Sequence, residues 1–426
     1  MAQPAAGNGA HPDPMSAKPV PFVHVYFAFA AGYFLSYLLR TVNAVISPEL
    51  TRELGLTSSS LGLLTSAYFI AFGAMQIPAG MLLDRYGPRR VEPALLLFCG
   101  IGTLAFALAD GVTGLIVARA LIGLGVSVCL MAPLKAISAW YPAERQASLA
   151  AWIMVAGGVG ALVATTPVEI ALRFTDWRGV FMVLSVFSFG IAAWIWWRVP
   201  DTAPPAASGG IAAQWAGVRT VFASPRFWWI APLGSFGMGS FMAIQGLWSV
   251  PWLMDVDGYD RAEAARHLLV MSVVILAGYL IVSLFATRLA SRGIHPRHLF
   301  AAGYAINIAA LAAIVLRLPG SYLWWSLYGF GVAVNILAYP LLCEGFPKAL
   351  AGRASTTLNL LMFLGSFATQ WGIGVIVDLV RGAGGGNAAG LQRAFAIMLV
   401  VDLLAYAWLV LGWRRHAVPA PPAPAA

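Results

Sequence analysis

Charge is scarce in this sequence. Asp, Glu, Lys and Arg make up 10% of its 426 residues, while 60% are hydrophobic. A soluble domain carries about 25% charged residues. So little charge cannot cover a water-facing surface, which excludes a soluble protein and leaves lipid as the main surroundings. Cysteine is nearly absent as well. Cys99, Cys129 and Cys343 fall inside apolar segments with no metal or redox spacing, so they read as small packing residues. The six histidines (His11, His24, His267, His295, His298 and His416) lie at ends or in loops, and no nucleotide-binding loop or catalytic constellation is present. An enzyme, a metal or cofactor protein and an ATP-driven pump are therefore not expected. Residues 1–20 lack the hydrophobic region of a secretory signal. The basic excess, 26 Lys and Arg against 17 Asp and Glu, is scattered in short clusters between apolar runs. That pattern reads as membrane topology and not as a nucleic-acid stripe.

What the sequence has in abundance is long apolar runs. Crossing a bilayer core of ~30 Å takes about 20 helical residues. Suitable runs occur near 23–48, 60–83, 91–109, 113–139, 147–172 and 178–197, and again near 226–253, 265–287, 297–316, 321–343, 354–379 and 391–413. The spacing predicts twelve transmembrane helices in two bundles, residues 21–197 and 226–413. Residues 198–225, which include PDTAPPAASGG, read as a linker, and the tails 1–20 and 414–426 read as disordered. With the N-terminus in the cytoplasm, 15 basic residues lie on the cytoplasmic side and 8 outside, which predicts both termini inside the cell.

The halves repeat each other. Ile122–Ala132 (IGLGVSVCLMA) is echoed 206 residues later by Tyr328–Ala338 (YGFGVAVNILA). Tyr141-Pro142 with Arg145 and Ser148 is echoed by Phe346-Pro347 with Arg353 and Ser355, and Pro48 and Gly55 by Pro251 and Gly258. Parallel repeats about an axis along the membrane normal are one of the two ways transporters are built.

Between the second and third spans stands Gly80-Met-Leu-Leu-Asp84-Arg85-Tyr-Gly87-Pro-Arg89-Arg90. This resembles the loop motif of the major facilitator superfamily, as does Arg119 followed by Gly123 and Gly125 at the start of span four. The resemblance runs from about Phe22 to Trp413. It implies an all-α fold of two six-helix bundles related by a pseudo-two-fold axis, alternating access, and a gating clasp at Gly80, Asp84, Arg85, Gly87, Arg89 and Arg90. Tyr37-Leu-Leu-Arg40 followed by Pro48-Glu-Leu is similar to the branch that exchanges organophosphates or takes up organic acids. Those exchangers carry a matching Arg in span seven and a Lys in span two. Here Met242 or Ala243 stands at the first position and span two has no Lys, so a phosphate ester is not expected. The span-five ending typical of drug/proton antiporters is replaced by Gly157 to Pro167, which lowers the exporter reading.

Charges inside spans are costly and face cavities or partners. Arg40 lies about eight residues, roughly 12 Å, from the outer end of span one. Arg119 lies at similar depth in span four, so the pair offers a bidentate grip on a carboxylate or phosphate. For Arg119 the alternative is a structural arginine bonded to helix ends. Tyr33, Ser36, Tyr37, Arg40, Asn43 and Ser47 share one helical face. In the second half, Gln245 and Trp248 (with Phe241 and Trp252), Asn335 and Tyr339 (with Tyr328), and Asn359 (with Phe363, Ser366 and Gln370) form polar-aromatic faces. Together these predict an amphipathic organic anion as solute. Lys135 sits about 160° round the helix from Arg119. It either guides anions at the inner mouth or snorkels to water.

Proton coupling needs a titratable group in the membrane, and the candidates are Glu169, Glu344, Asp378 and Asp402. One-turn spacing predicts the ion pairs Glu169–Arg173 and Asp378–Arg381, which could help close an outer gate. The sequence thus predicts a monomeric secondary transporter of a bacterial-type inner membrane that takes up a small organic anion by proton coupling or by exchange. It predicts no cofactor, metal or nucleic acid. An efflux antiporter and a non-transporting sensor of the same fold are the alternatives.

Overall fold

The computed structural model describes residues 22–201, 211–292 and 294–413. Both tails and residues 202–210 of the linker lie outside the described residues. The described residues are helical and contain no strand. Eleven helices are long and apolar enough to cross a membrane. The twelfth span, span four, is split into Val112–Gly125 and Met131–Trp140, so its first piece is short by itself.

In chain order the remaining spans of the first half are Phe22–Leu54, Ser58–Tyr86, Pro88–Ala107, the pair Ala143–Val163 and Thr166–Ala171, and Trp177–Arg198. The second half runs Pro225–Asp255, Arg261–Ser291, Pro296–Val315, Ser321–Cys343, Lys348–Gly382 and Asn387–Gly412. These are numbered one to twelve below.

Local chemistry sets the helix ends. Thr57 accepts a bond from the Ser60 amide and Asp176 from that of Gly179, and Pro88, Pro225 and Pro296 open their helices. Gly87 closes span two and opens span three at φ 76°, a left-handed turn that suits glycine. The repeat extends to the backbone: Gly55 and Gly258, equivalent after spans one and seven, both take positive φ, 61° and 77°. Span four breaks after Gly125, and span ten is 3₁₀-helical over Ala333–Leu337, at equivalent places.

The chain is a multi-pass membrane protein with the fold expected. Large apolar side chains such as Val186, Leu404 and Leu411 are exposed on the outside of the bundles, where lipid replaces water as solvent. The halves meet mainly where span two runs along span eleven, with further contacts of span one on seven and five on eight. The segment 198–225 is more than a linker. It holds a helix, Ile211–Phe222, whose Gly217 lies against the Arg353 side chain of span eleven.

Candidate functional site

Arg40 is 9% exposed at the seam between the halves. Its guanidinium carbon lies 4.6 Å from the centre of the Tyr37 ring, 5.3 Å from Phe72, 5.8 Å from Tyr68 and 5.8 Å from Phe363. The first three rings belong to spans one and two, and Phe363 belongs to span eleven. Each such contact is worth about 0.5–2 kcal/mol, but ring faces hold a cation without neutralising it. Among the described residues no carboxylate lies within ion-pair distance of Arg40, and its Nε has no hydrogen-bond partner. Tyr33 packs edge-on against Tyr37 with centroids 5.1 Å apart, and its hydroxyl donates to Met154 Sδ at 3.7 Å.

One helical turn from Phe72 and Phe363, the halves are joined by a polar bridge. Tyr339 donates to Asn359 Oδ1 at 3.0 Å, and Asn359 Nδ2 donates across the seam to Gln76 Oε1 at 2.9 Å. Phe72 and Phe363 themselves meet with centroids 4.4 Å apart. Gln245 lies in a π-helical turn, Ile244–Trp248, and the next residue, Gly246, faces the Arg40 carbonyl. Single π turns recur at functional sites.

Other expected members lie elsewhere. Arg119 does not join Arg40 in a two-guanidinium grip. It is 1% exposed within the first half, donates to the Leu39 carbonyl at 2.8 Å and lies 5.2 Å and 5.7 Å from the centres of the stacked Phe106 and Phe181 rings. Asn43 turns from the Arg40 rings to span two, donating to Thr65 Oγ1 at 3.0 Å. Trp248 donates to the Gln370 carbonyl at 3.0 Å and lines a separate cavity of about 260 Å³ with Arg52, Asp255 and Arg381. Asn335 accepts from Tyr304 at 2.8 Å within the second half. Asp402 accepts from Ser240 at 3.1 Å, the partner the sequence could not name.

The motif loop is arranged differently from the expected clasp. Asp84 pairs with Lys135, which answers the open question about that lysine. Arg89 and Arg90 both pair with Asp201, at 3.3 Å and 3.0 Å, and Arg85 lies over the Tyr86 ring. All these partners precede the second bundle, so the clasp does not cross the seam here. Gly80 has open space beside it.

At the opposite face the seam is latched. Arg261 of the second half pairs with Glu49 and lies 4.0 Å from Glu169, which also pairs with Arg173 at 3.0 Å. Asp378 does not pair with Arg381. Its carboxylate accepts the Ser58 and Ser59 amides at 3.0 Å and 2.7 Å, capping span two from the other half. Arg381 bonds Asn387 instead. Among the described residues every ion pair between the halves lies at this face.

Gln76, Phe72 and Tyr68 were missed from sequence, although Gln76 is an in-span amide one turn from an aromatic. Glu92 was missed too. It directly follows the arginine-rich loop and passes for a loop charge, yet it is fully buried.

Comparison with known proteins places these features in context. The family model described as Major Facilitator Superfamily matches residues 29–370. The chain is 27% identical over 422 residues to the hexuronate transporter of Escherichia coli K12, covering 89% of this chain and 91% of the relative. It is 30% identical over 158 residues to a probable sulfoacetate transporter of Cupriavidus necator, a match spanning 37% of each chain. It is 21% identical to the membrane sensor protein UhpC of Salmonella typhimurium, over 89% of this chain and 91% of the relative. In fold it resembles an inward-facing, unoccupied bacterial homolog of the human lysosomal transporter Spinster. The TM-score is 0.74 at 19% identity, covering 93% of this chain and 98% of the other.

Proposed function

The chain belongs to the Major Facilitator Superfamily, a family of transporters and not of enzymes, and from that premise we propose that it is a secondary carrier for a small organic anion held by Arg40. The observation that carries this reading is a buried guanidinium at the seam, ringed by aromatics and lacking a carboxylate partner. A solute carboxylate would supply the missing counter-charge and accept two parallel N–H bonds. From the second half, Tyr279 and Tyr339 lie close enough to Arg40 to interact with its charge, and Asn359 accepts from Tyr339. The relatives named as hexuronate and sulfoacetate transporters act on acids, which agrees with an anionic solute.

Transport runs by alternating access. In this conformation the latch of Asp378, Arg261, Glu49 and Glu169 holds one face shut while the motif face is free of cross-half ion pairs. Reorientation breaks the latch, and Asp84, released from Lys135, engages the second half at the motif face. The loop charge bias puts the motif face in the cytoplasm, so solute would be delivered inward, driven by protons or by exchange.

Uptake of labelled galacturonate, a hexuronate, into proteoliposomes tests this reading. Wild type should accumulate it and Arg40→Ala should not. A wild type that accumulates only neutral or cationic solutes overturns it. The similarity to UhpC favours a second reading, a sensor of carrier fold. A sensor would bind the acid without accumulating it.

A further inference from the structure

We propose that Glu92 in span three is the proton-binding site of the cycle, taking up one proton and releasing it on the other side as the halves reorient. This rests on the reading of the chain as a gradient-driven carrier. Glu92 is fully buried, and apart from the facing Cys129 thiol neither carboxyl oxygen has a hydrogen-bond partner among the described residues. It lies against Gly32 of span one, where a side chain would collide with it, and it faces the Cys129 thiol at the break in span four.

The charged groups on the surrounding elements are engaged elsewhere. Arg40 of span one lies among its four rings, and Arg119 of span four bonds the Leu39 carbonyl. Lys135 pairs with Asp84 of span two, and Arg89 and Arg90 of span three pair with Asp201. Arg85 lies over Tyr86, and the Tyr68 hydroxyl donates to the Ser36 carbonyl. On span six, Arg178 pairs with Glu53 and Arg198 is exposed. An ionised Glu92 would therefore stand without a cation in the buried interior of the bundle, which is among the least favourable placements for a charge. In this conformation the group is the neutral acid.

The route for release is built beside it. At Val126–Leu130 the helix of span four is interrupted, and shorter-range bonds (Ser127 N to Leu124 O at 3.3 Å, Cys129 N to Val126 O at 3.2 Å) replace the regular ladder. Such an interruption is where a helix bends. Bending there moves Cys129 from the carboxyl and admits water, whereupon Glu-COOH dissociates to Glu-COO⁻ and H⁺. The repeat supplies an internal contrast. Asn335 occupies the position equivalent to Cys129 and accepts from Tyr304, and the buried acid of that half, Asp402 of span twelve, accepts from Ser240. One proton carried with one monoanion makes the cycle electroneutral.

Full-length protein in liposomes decides the matter, with Glu92→Gln mimicking the protonated acid. Accumulation of labelled galacturonate driven by a pH gradient should fall at least about tenfold, while galacturonate counterflow stays within about twofold of wild type. The infrared difference spectrum of wild type minus Glu92→Gln should show a protonated-carboxyl band, the contribution of Asp402, also buried, cancelling. Folded Glu92→Asp, still an acid, should keep both the band and gradient-driven uptake. A difference spectrum without that band, or undiminished gradient-driven accumulation in Glu92→Gln, overturns the proposal, as does loss of both signals in Glu92→Asp. If wild type moves no galacturonate at all, the solute reading fails separately. The infrared comparison then decides alone: a protonated-carboxyl band in the wild type minus Glu92→Gln difference upholds the assignment and its absence sinks it.

Discussion

Arg40 and Arg119 are both buried arginines of the first bundle, flanked by aromatic rings, yet their surroundings differ in kind. Arg119 is enclosed by one bundle and donates to a backbone carbonyl of span one, so its neighbours move with it. Arg40 stands at the seam, where one of its four rings comes from the other half and no carboxylate answers it. Depth in the membrane is therefore a poor guide to role. Neither arginine has a carboxylate partner among the described residues, and Arg119 Nε and Nη2 lack hydrogen-bond partners as well. The informative quantity is whether the groups around the charge lie on one moving body or on two.

The comparison breaks most visibly at Arg40. Arg40→Ala should weaken galacturonate binding about ten- to a hundredfold, the loss of charge-assisted bonds worth ~1.5–3 kcal/mol. Arg40→Lys, which keeps charge but loses the planar fork, should fall between. Equilibrium binding to purified protein measures both. Arg119→Leu sharpens the contrast. It should lower the thermal midpoint, consistent with about 1–3 kcal/mol of lost stability, and leave galacturonate affinity within about twofold. A large affinity loss in folded Arg119→Leu would return that residue to the binding site.

Smaller effects are expected at the latch and the bridge. Asp378→Ala removes a cap from span two, worth about 0.5–2 kcal/mol, and should shift the population toward opening at that face. Labelling of a cysteine introduced at Ser58 should quicken accordingly. Gln76→Leu removes one seam hydrogen bond, about 0.5–1.5 kcal/mol, and should change transport rate more than affinity. If it instead abolished binding, the bridge would belong to the solute site.

The sequence made the architecture legible because apolar length counts spans and glycine, proline and arginine match in order between the halves. Helical spacing also put Tyr33, Tyr37 and Arg40 on one face. Periodicity stops there: it says which residues share a face and not which helix that face meets. Asp378 has Arg381 one turn away, but two free amides at the start of span two, 320 residues distant, are the better partner for its carboxylate. Asn43 shares the Arg40 stripe yet lies far enough round to meet Thr65. Lys135 and Asp84 looked like separate problems until spans two and four were side by side. The interruption in span four carries no proline at its centre, only the Gly-Val-Ser-Val-Cys run that equally fits an unbroken helix.

The central claim, that Arg40 reads negative charge on the solute, is tested most directly by a binding cycle. Galacturonate and its neutral amide, galacturonamide, are titrated against wild type and Arg40→Ala. Wild type should prefer the acid by about tenfold or more, and Arg40→Ala should bind both alike. An acid preference of the same size in folded Arg40→Ala protein would contradict the account.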